Sequence, residues 1–346
     1  MPPSYHRNSF WTTTIRRAKT PLFVPPPRIT TTATTPLSLN TVRCYSANMS
    51  TSTQQEAAIK RNPHPDFKKV EASRPDWDSS SQFRYTKTAD PNWSFGSGAN
   101  GQRAPDADEK KHVCIDPHEA GRPPVANYKL LISGVVPRPI GFVSSQAADG
   151  SARNLAPFSY FNLVNHDPPL FVLGVAASLA APKDTLRNLR ETGECVVSVI
   201  GEDFLEAANA ASVDAPYGAS EWDVSGLTPV FDTADVRAPR VGEAVFSVEC
   251  RLESIREFES RASPGRTSGC LVVLEGTRFW VREDALNEER NLIDPAVLRP
   301  VSRLGGITYA RVTEAVEIQR PSFKGDVGGE EGLEKLKGKG GGEDRI

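Results

Sequence analysis

The first 55 residues contain no aspartate and no glutamate. Over the same stretch Arg7, Arg16, Arg17, Lys19, Arg28 and Arg43 are scattered among threonines and serines. An acid-poor, arginine-bearing segment of this kind has the composition of an organelle transit peptide. Arg43-Cys44-Tyr45-Ser46 resembles a mitochondrial processing site with the cut after Tyr45. Residues 1–48 are therefore expected to direct the chain to the mitochondrial matrix. Methionine is scarce too: the second of only two, Met49, falls just beyond the leader, and initiation there would give a cytoplasmic form.

Other absences narrow the function. The longest apolar run, residues 170–181, falls short of the ~20 residues that a membrane-spanning helix needs. The net charge is -2, without the basic surplus that marks nucleic-acid binders. Five cysteines show no paired spacing, and Cys195, Cys250 and Cys270 sit in apolar strand-like runs, which reads as reduced buried thiols rather than a disulfide framework. His112, Cys114 and His118 lack a fourth ligand at zinc spacing, so no metal is expected. Residues 96–101 spell G-x-G-x-x-G, but no strand pattern precedes them and no helix pattern follows, which excludes the dinucleotide fingerprint of a doubly wound sheet.

Periodic apolar segments begin only near Tyr128. The 346 residues thus read as one folded domain over 127–324, an extension over 49–126 that is partly disordered and partly laid on the domain, and a Gly/Lys/Glu tail over 325–346 expected to be disordered. The domain is expected to be mainly β. Phe246, Val248, Cys250 and Leu252 alternate with Ser247, Glu249, Arg251 and Glu253, which predicts a strand with one face in the core and one in water. Residues 271–274 and 279–281 predict a long strand bent at Gly276. Helices are expected near 184–192, ended by Gly193, and near 202–212. This order lacks regular strand–helix alternation and fits a Greek-key barrel with helical insertions.

Two elements carry the chemistry. Lys183-Asp184-Thr185 opens a helix and brings a cation, a hydroxyl donor and unpaired amides, the combination that holds a phosphate. Asp184 would repel phosphate, so its expected part is to cap the helix or to orient Lys183 and Thr185. Asn154-Leu155-Ala156-Pro157-Phe158-Ser159 offers a polar backbone edge against which a planar ring can lie, with Pro157 limiting strand pairing. The same residues also fit an ordinary N-cap and an ordinary proline turn.

The ordered series Val136-Pro137-Arg138-Pro139-Ile140-Gly141-Phe142-Val143-Ser144-Ser145, Asp149-Gly150, Asn154 to Asn162, Asp167-Pro168-Pro169-Leu170, Lys183-Asp184-Thr185, Asn188, Thr192-Gly193-Glu194, Arg299-Pro300 and Arg303-Leu304-Gly305-Gly306 resembles the flavin reductase-like, FMN-binding split-barrel family over residues 127–320. The resemblance implies a homodimer that binds FMN at its interface and reduces it with NADH or NADPH. By motif, Asn154, Leu155, Ala156 and Ser159 would contact the ring and ribityl chain. Ser178, Lys183, Asp184 and Thr185 would surround the phosphate. The chemistry requires no side-chain acid or base; His166 would lie near the flavin and meet the nicotinamide or the ring edge, or else be a loop histidine bonded to backbone. Arg303 is a candidate for a dinucleotide phosphate. The alternatives are a non-enzymatic FMN-binding electron carrier or sensor, and a scaffold that has lost flavin.

Overall fold

Alternation along the chain produces thirteen short or long strands among the described residues of the computed structural model, which are 59, 61–99, 106 and 109–339. The leader, its Arg43–Tyr45 cut site and Met49 lie outside them. Seven strands form one sheet. In chain order they are β2 (Gly141–Gln146), β3 (Arg153–Phe158), β4 (Phe161–His166), β5 (Pro169–Val175), β6 (Glu194–Val199), β9 (Phe246–Glu259) and β10 (Thr267–Val281). The remainder pair off in twos: β1 (Arg84–Thr86) with β13 (Glu314–Val316), β7 (Pro229–Val230) with β8 (Arg240–Val241), and β11 (Val301–Arg303) with β12 (Tyr309–Arg311).

The main sheet has the order β3-β2-β6-β9-β10-β5-β4, with every neighbouring pair antiparallel. Its two edge strands, β3 and β4, are consecutive in sequence, with only Ser159 and Tyr160 between them. Six inter-strand spacings of about 4.8 Å would hold the edges of a flat sheet about 29 Å apart. The three Cα steps from Phe158 to Phe161, about 3.8 Å each, reach no more than about 11 Å. The sheet must therefore curl until its edges meet at this end. Close packing there agrees, since a Cβ on Gly141 at the start of β2 would come within 2.8 Å of the Phe161 ring. Away from the junction β3 and β4 do not pair, which leaves a barrel split along one side.

Both faces of β2 are buried, because one packs into the barrel and the other under helices. Val143 joins Phe171, Leu173, Val197, Val248, Val272 and Leu274 inside. Phe142 joins Leu155, Ile200, Phe204, Trp222 and Leu227 outside. The Asp184–Thr192 helix sends Leu186 and Leu189, both fully buried, into the first cluster, each stabilising the fold by about 1.5–3 kcal/mol. Gly193 ends it in the left-handed region at φ 69°. The 202–212 stretch forms a 3-10 turn and the Leu205–Ala210 helix. β10 is irregular between Gly276 and Arg278, where the bend is expected.

Two expectations are corrected. The polar face of β9 is not in water at its first half: Ser247 and Glu249 are buried. The 234–236 loop folds over that face, and Glu249 accepts the backbone N–H groups of Ala234, Asp235 and Val236 and the Trp280 indole N–H. The tail is not wholly without structure, since Gly329–Lys339 is a helix. Glu330 and Glu331 sit in its first turn, where they favour the helix dipole, and Lys337 pairs with Glu334 at 2.6 Å.

The extension lies on the domain. β1 adds in parallel to β13. Trp77 stacks under the Arg311 guanidinium at 4.3 Å, and Arg311 in turn reaches the buried Glu202, which also holds Arg299. The domain itself starts slightly before residue 127, with the Pro124–Gly134 helix.

Candidate functional site

Lys183 is the N-cap of the Asp184–Thr192 helix, with extended backbone (φ -69°, ψ 160°). A lysine side chain has no acceptor, and among the described residues no side chain caps this helix. The first-turn amides are therefore left for an external acceptor, and the macrodipole makes that acceptor an anion. Of the two parts expected of Asp184, capping is not the one it takes: the helix spans the expected 184–192, the Arg187 amide bonds the Lys183 carbonyl, and Asp184 is the first helical residue.

The structure joins the two sequence elements directly. Asn154 on β3 donates through Nδ2 to Thr185 Oγ1 at 2.8 Å, and both residues are buried. This bond occupies a lone pair on the Thr185 oxygen and leaves its proton to donate elsewhere. Asn188, one turn on, donates from Nδ2 to Ser145 Oγ and accepts from the Tyr217 hydroxyl, tying the helix to β2. Ser178 lies in the turn before the helix, where its hydroxyl oxygen accepts the Ala181 amide.

Two carboxylates flank this point. Burial pushes the Asp184 carboxyl above the usual range; Arg187 opposes the shift and Asp214 adds to it. Glu221, at the start of the Glu221–Ser225 helix, is 5% exposed and accepts the Leu155 amide at 3.1 Å. Burial raises its pKa as well; the hydrogen bond from Leu155 offsets part of the rise and the charge of Asp184 increases it. Sequence reading missed Glu221, which is 66 residues from Leu155 and carries no motif.

The backbone edge of β3 is less open than expected. Amide direction alternates along a strand, so Leu155 and Pro157 hold the positions facing away from β2. Leu155 gives its N–H to Glu221, and Pro157 has none. Between Asn154 and Phe158 that edge presents carbonyls only. Ala156 and Ser159 are half-buried, and Ser159 lies at the junction with β4.

His166 and Arg303 stand apart from the Asn154–Thr185 link. His166 is exposed at the far end of β4, the opposite edge strand. Arg303 exchanges backbone hydrogen bonds with Arg138, stacks on Tyr309 at 4.2 Å and donates to the Gly306 carbonyl.

Comparison with known proteins agrees with this architecture. Residues 133–299 match the flavin reductase like domain. YwrF of Bacillus subtilis is 37% identical over 195 residues, which cover 56% of this chain and 93% of that one. The crystal structure of nitrilotriacetate monooxygenase component B from Bacillus cereus superposes with a TM-score of 0.55 at 35% identity, over 60% of this chain and 100% of its own. That of the 2-nitrobenzoate 2-nitroreductase NbaA of Pseudomonas fluorescens gives 0.52 at 32%, over 62% and 98%. With a split antiparallel barrel, the ordered motifs on it and relatives covered almost end to end, the chain belongs to the flavin reductase-like family.

Proposed function

We propose that the protein is an NAD(P)H-dependent flavin oxidoreductase that binds FMN between β3 and the start of the Asp184–Thr192 helix. One observation carries the reading: an uncapped helix N-terminus with Lys183 at its cap, whose Thr185 hydroxyl is oriented by Asn154 from the neighbouring strand. The donor set is all cationic or neutral and suits a terminal monophosphate. Burial raises the pKa of both Asp184 and Glu221, the direction expected for carboxyls set in this partly buried surrounding.

Bound FMN supplies the hydride chemistry; the residues of this chain bind, orient and shield it. Lys183, Thr185 and the first-turn amides hold the phosphate, with Ser178 beside them. Asn154, Leu155, Ala156 and Ser159 lie along the ring. His166 acts only when a second copy brings it near, and it tunes the reaction rather than carrying it. Exposed apolar side chains on the 124–134 helix and β4, among them Leu130, Leu131, Leu163 and Val164, support a homodimer. The acid-free leader supports a mitochondrial location for the full chain and a cytoplasmic one for a chain begun at Met49.

Fluorescence titration with FMN and riboflavin tests the site. Lys183→Ala is expected to weaken FMN binding by about 1.5–3 kcal/mol, the range for a charge-assisted hydrogen bond, and to leave riboflavin little changed. Equal affinity of the wild type for both flavins removes the phosphate role. Anaerobic addition of NADH or NADPH tests the reaction: bleaching of the flavin supports it, and a fully bound FMN that neither nucleotide bleaches assigns the protein to electron carriage or sensing.

A further inference from the structure

The phosphate end of the site is built on a loop as well as a helix. Residues 176–183 join β5 to the Asp184–Thr192 helix and bring Ser178 and Lys183 to it. The middle of that loop is tied down within three residues. Cys270 donates its S–H to the Ala177 carbonyl at 3.1 Å. Glu257 accepts the Leu179 amide on Oε1 at 2.7 Å, and Arg190 donates from Nη1 to the Leu179 carbonyl at 2.6 Å. Both polar groups of one peptide position are therefore held by ionised side chains, the stronger kind of hydrogen bond.

The ties come from elements far apart in sequence. Cys270 on β10 and Glu257 on β9 are direct cross-strand partners, so their side chains leave the sheet on one face. Cys270 also pairs with Val175, the last residue of β5, where the loop begins. The approach there is close, since a Cβ on Gly269 would lie 2.9 Å from the Val175 carbonyl. Arg190 stands in the last turn of the helix that the loop enters. The loop is thus clamped between the β9–β10 hairpin and the helix, with Ala177 and Leu179 packed on the barrel core.

Glu257 has the wrong charge for a group beside a phosphate. By Coulomb's law alone its removal would favour a bound dianion. Its hydrogen bond works the other way: a loop already ordered in the free protein loses less conformational entropy when a ligand binds. We propose that Glu257 and Arg190 are positioning residues for the phosphate end, which grip the Leu179 peptide from the hairpin and from the helix and so fix Ser178 and Lys183 beside the first-turn amides. The proposal rests on the FMN reading above.

The two effects of Glu257 have opposite signs, which makes them separable. The test uses the full chain with Glu257→Ala, Glu257→Gln, Arg190→Gln and the Glu257→Ala, Arg190→Gln double variant, titrated with FMN and riboflavin. Both side chains sit at exposed positions, and thermal unfolding without ligand checks that each variant keeps its fold. Loss of a charge-assisted hydrogen bond corresponds to roughly ten- to hundredfold, and the part felt by the ligand should weaken FMN about tenfold in Glu257→Ala with riboflavin within about twofold. Glu257→Gln loses the same charge but keeps an oxygen acceptor for the Leu179 amide, so it should bind FMN at least as tightly as the wild type. Arg190→Gln should also weaken FMN, and the double variant should lose less than the product of the two single losses, because both side chains act through one peptide position. In the ligand-free protein, hydrogen exchange at the Leu179 amide should quicken about tenfold in Glu257→Ala and stay near wild type in Glu257→Gln. Unchanged or tighter FMN binding by Glu257→Ala, unchanged exchange at Leu179, or a joint fall of both flavin affinities overturns the proposal while the wild-type preference for FMN still stands. A wild type that binds the two flavins equally overturns the phosphate reading, and this proposal with it.

Discussion

Replacing Thr185 with valine removes a hydroxyl while keeping the shape of the side chain, and the structure gives two separable consequences. The first is local. Asn154 is 6% exposed and donates to Thr185 Oγ1 at 2.8 Å, so valine leaves a buried amide N–H without its partner. An orphaned buried donor costs about 1–3 kcal/mol, and a domain of this size loses about 2–4 °C in Tm per kcal/mol. The second consequence concerns the ligand. Because Asn154 takes a lone pair of the hydroxyl oxygen, the Thr185 proton is free to donate, and in the proposed FMN site its loss would remove one hydrogen bond to the phosphate. FMN affinity should fall roughly ten- to hundredfold, with riboflavin affinity within about twofold of wild type. Thr185→Ser restores the hydroxyl and should recover most of both losses. Thermal unfolding without ligand reads the first effect, and fluorescence titration with the two flavins reads the second. A folded Thr185→Val protein that still prefers FMN over riboflavin by the wild-type ratio would refute the phosphate contact; one with unchanged Tm would refute the Asn154 bond.

Three further outcomes follow from the packing, the charge and the leader. Glu249→Gln should destabilise the protein by about 2–4 kcal/mol at neutral pH, because an amide nitrogen faces N–H donors that a carboxylate accepts, partly offset by the smaller cost of burying a neutral group. Burial raises the Glu249 pKa, but its four donors outweigh that and hold it below the usual 4.5, so its contribution is complete above that value and lost as pH falls through the folded pKa; urea unfolding that shows a pH-independent gap between wild type and variant contradicts this. Gly141→Ala should cost about 1–3 kcal/mol by overpacking, since the new methyl meets the Phe161 ring where the barrel edges join and that ring is stacked on Phe171; an unchanged urea midpoint would show that the junction yields. A C-terminally tagged full chain should reach mitochondria and be cut after Tyr45, Arg43→Ala should impair the cut, and a wholly cytosolic product with an intact N-terminus would refute the leader.

How far the sequence reveals the structure depends on whether a residue's partner is local. The 184–192 helix was legible because Leu186 and Leu189 share a face and Gly193 marks the stop, all within ten residues. Its cap is Lys183 rather than Asp184: Asp-Thr reads as a cap in isolation, whereas the Arg187–Lys183 bond that starts the helix is visible only in the backbone. Alternation on β9 identifies two faces but not what covers each. Glu249 is buried by a loop that wraps back 13–15 residues, and nothing in the alternation signals that. The glycine and lysine content of the tail suggested disorder and hid a helix whose charges are ordered along its dipole. Glu221 was invisible for the same reason as Glu249: its partner is distant in sequence.

The Asn154–Phe158 segment proposed to hold the flavin is an edge strand, and that limits how a ring can be held there. An exposed edge invites pairing with another chain, and β3 is protected by Glu221 on the Leu155 amide and by a proline at 157 that has no amide to offer. The same two devices remove hydrogen-bond donors and leave acceptors, because the N–H and C=O of a strand residue point to the same side. A ring lying along this edge therefore meets carbonyls at Leu155 and Pro157 and must present a donor to them, as the isoalloxazine does at its imide nitrogen. At the other end, the uncapped helix offers donors without an acceptor and suits only an anion. If FMN occupies the site proposed above, donors at one end and acceptors along the edge set its direction: phosphate toward Thr185, ring toward Ser159.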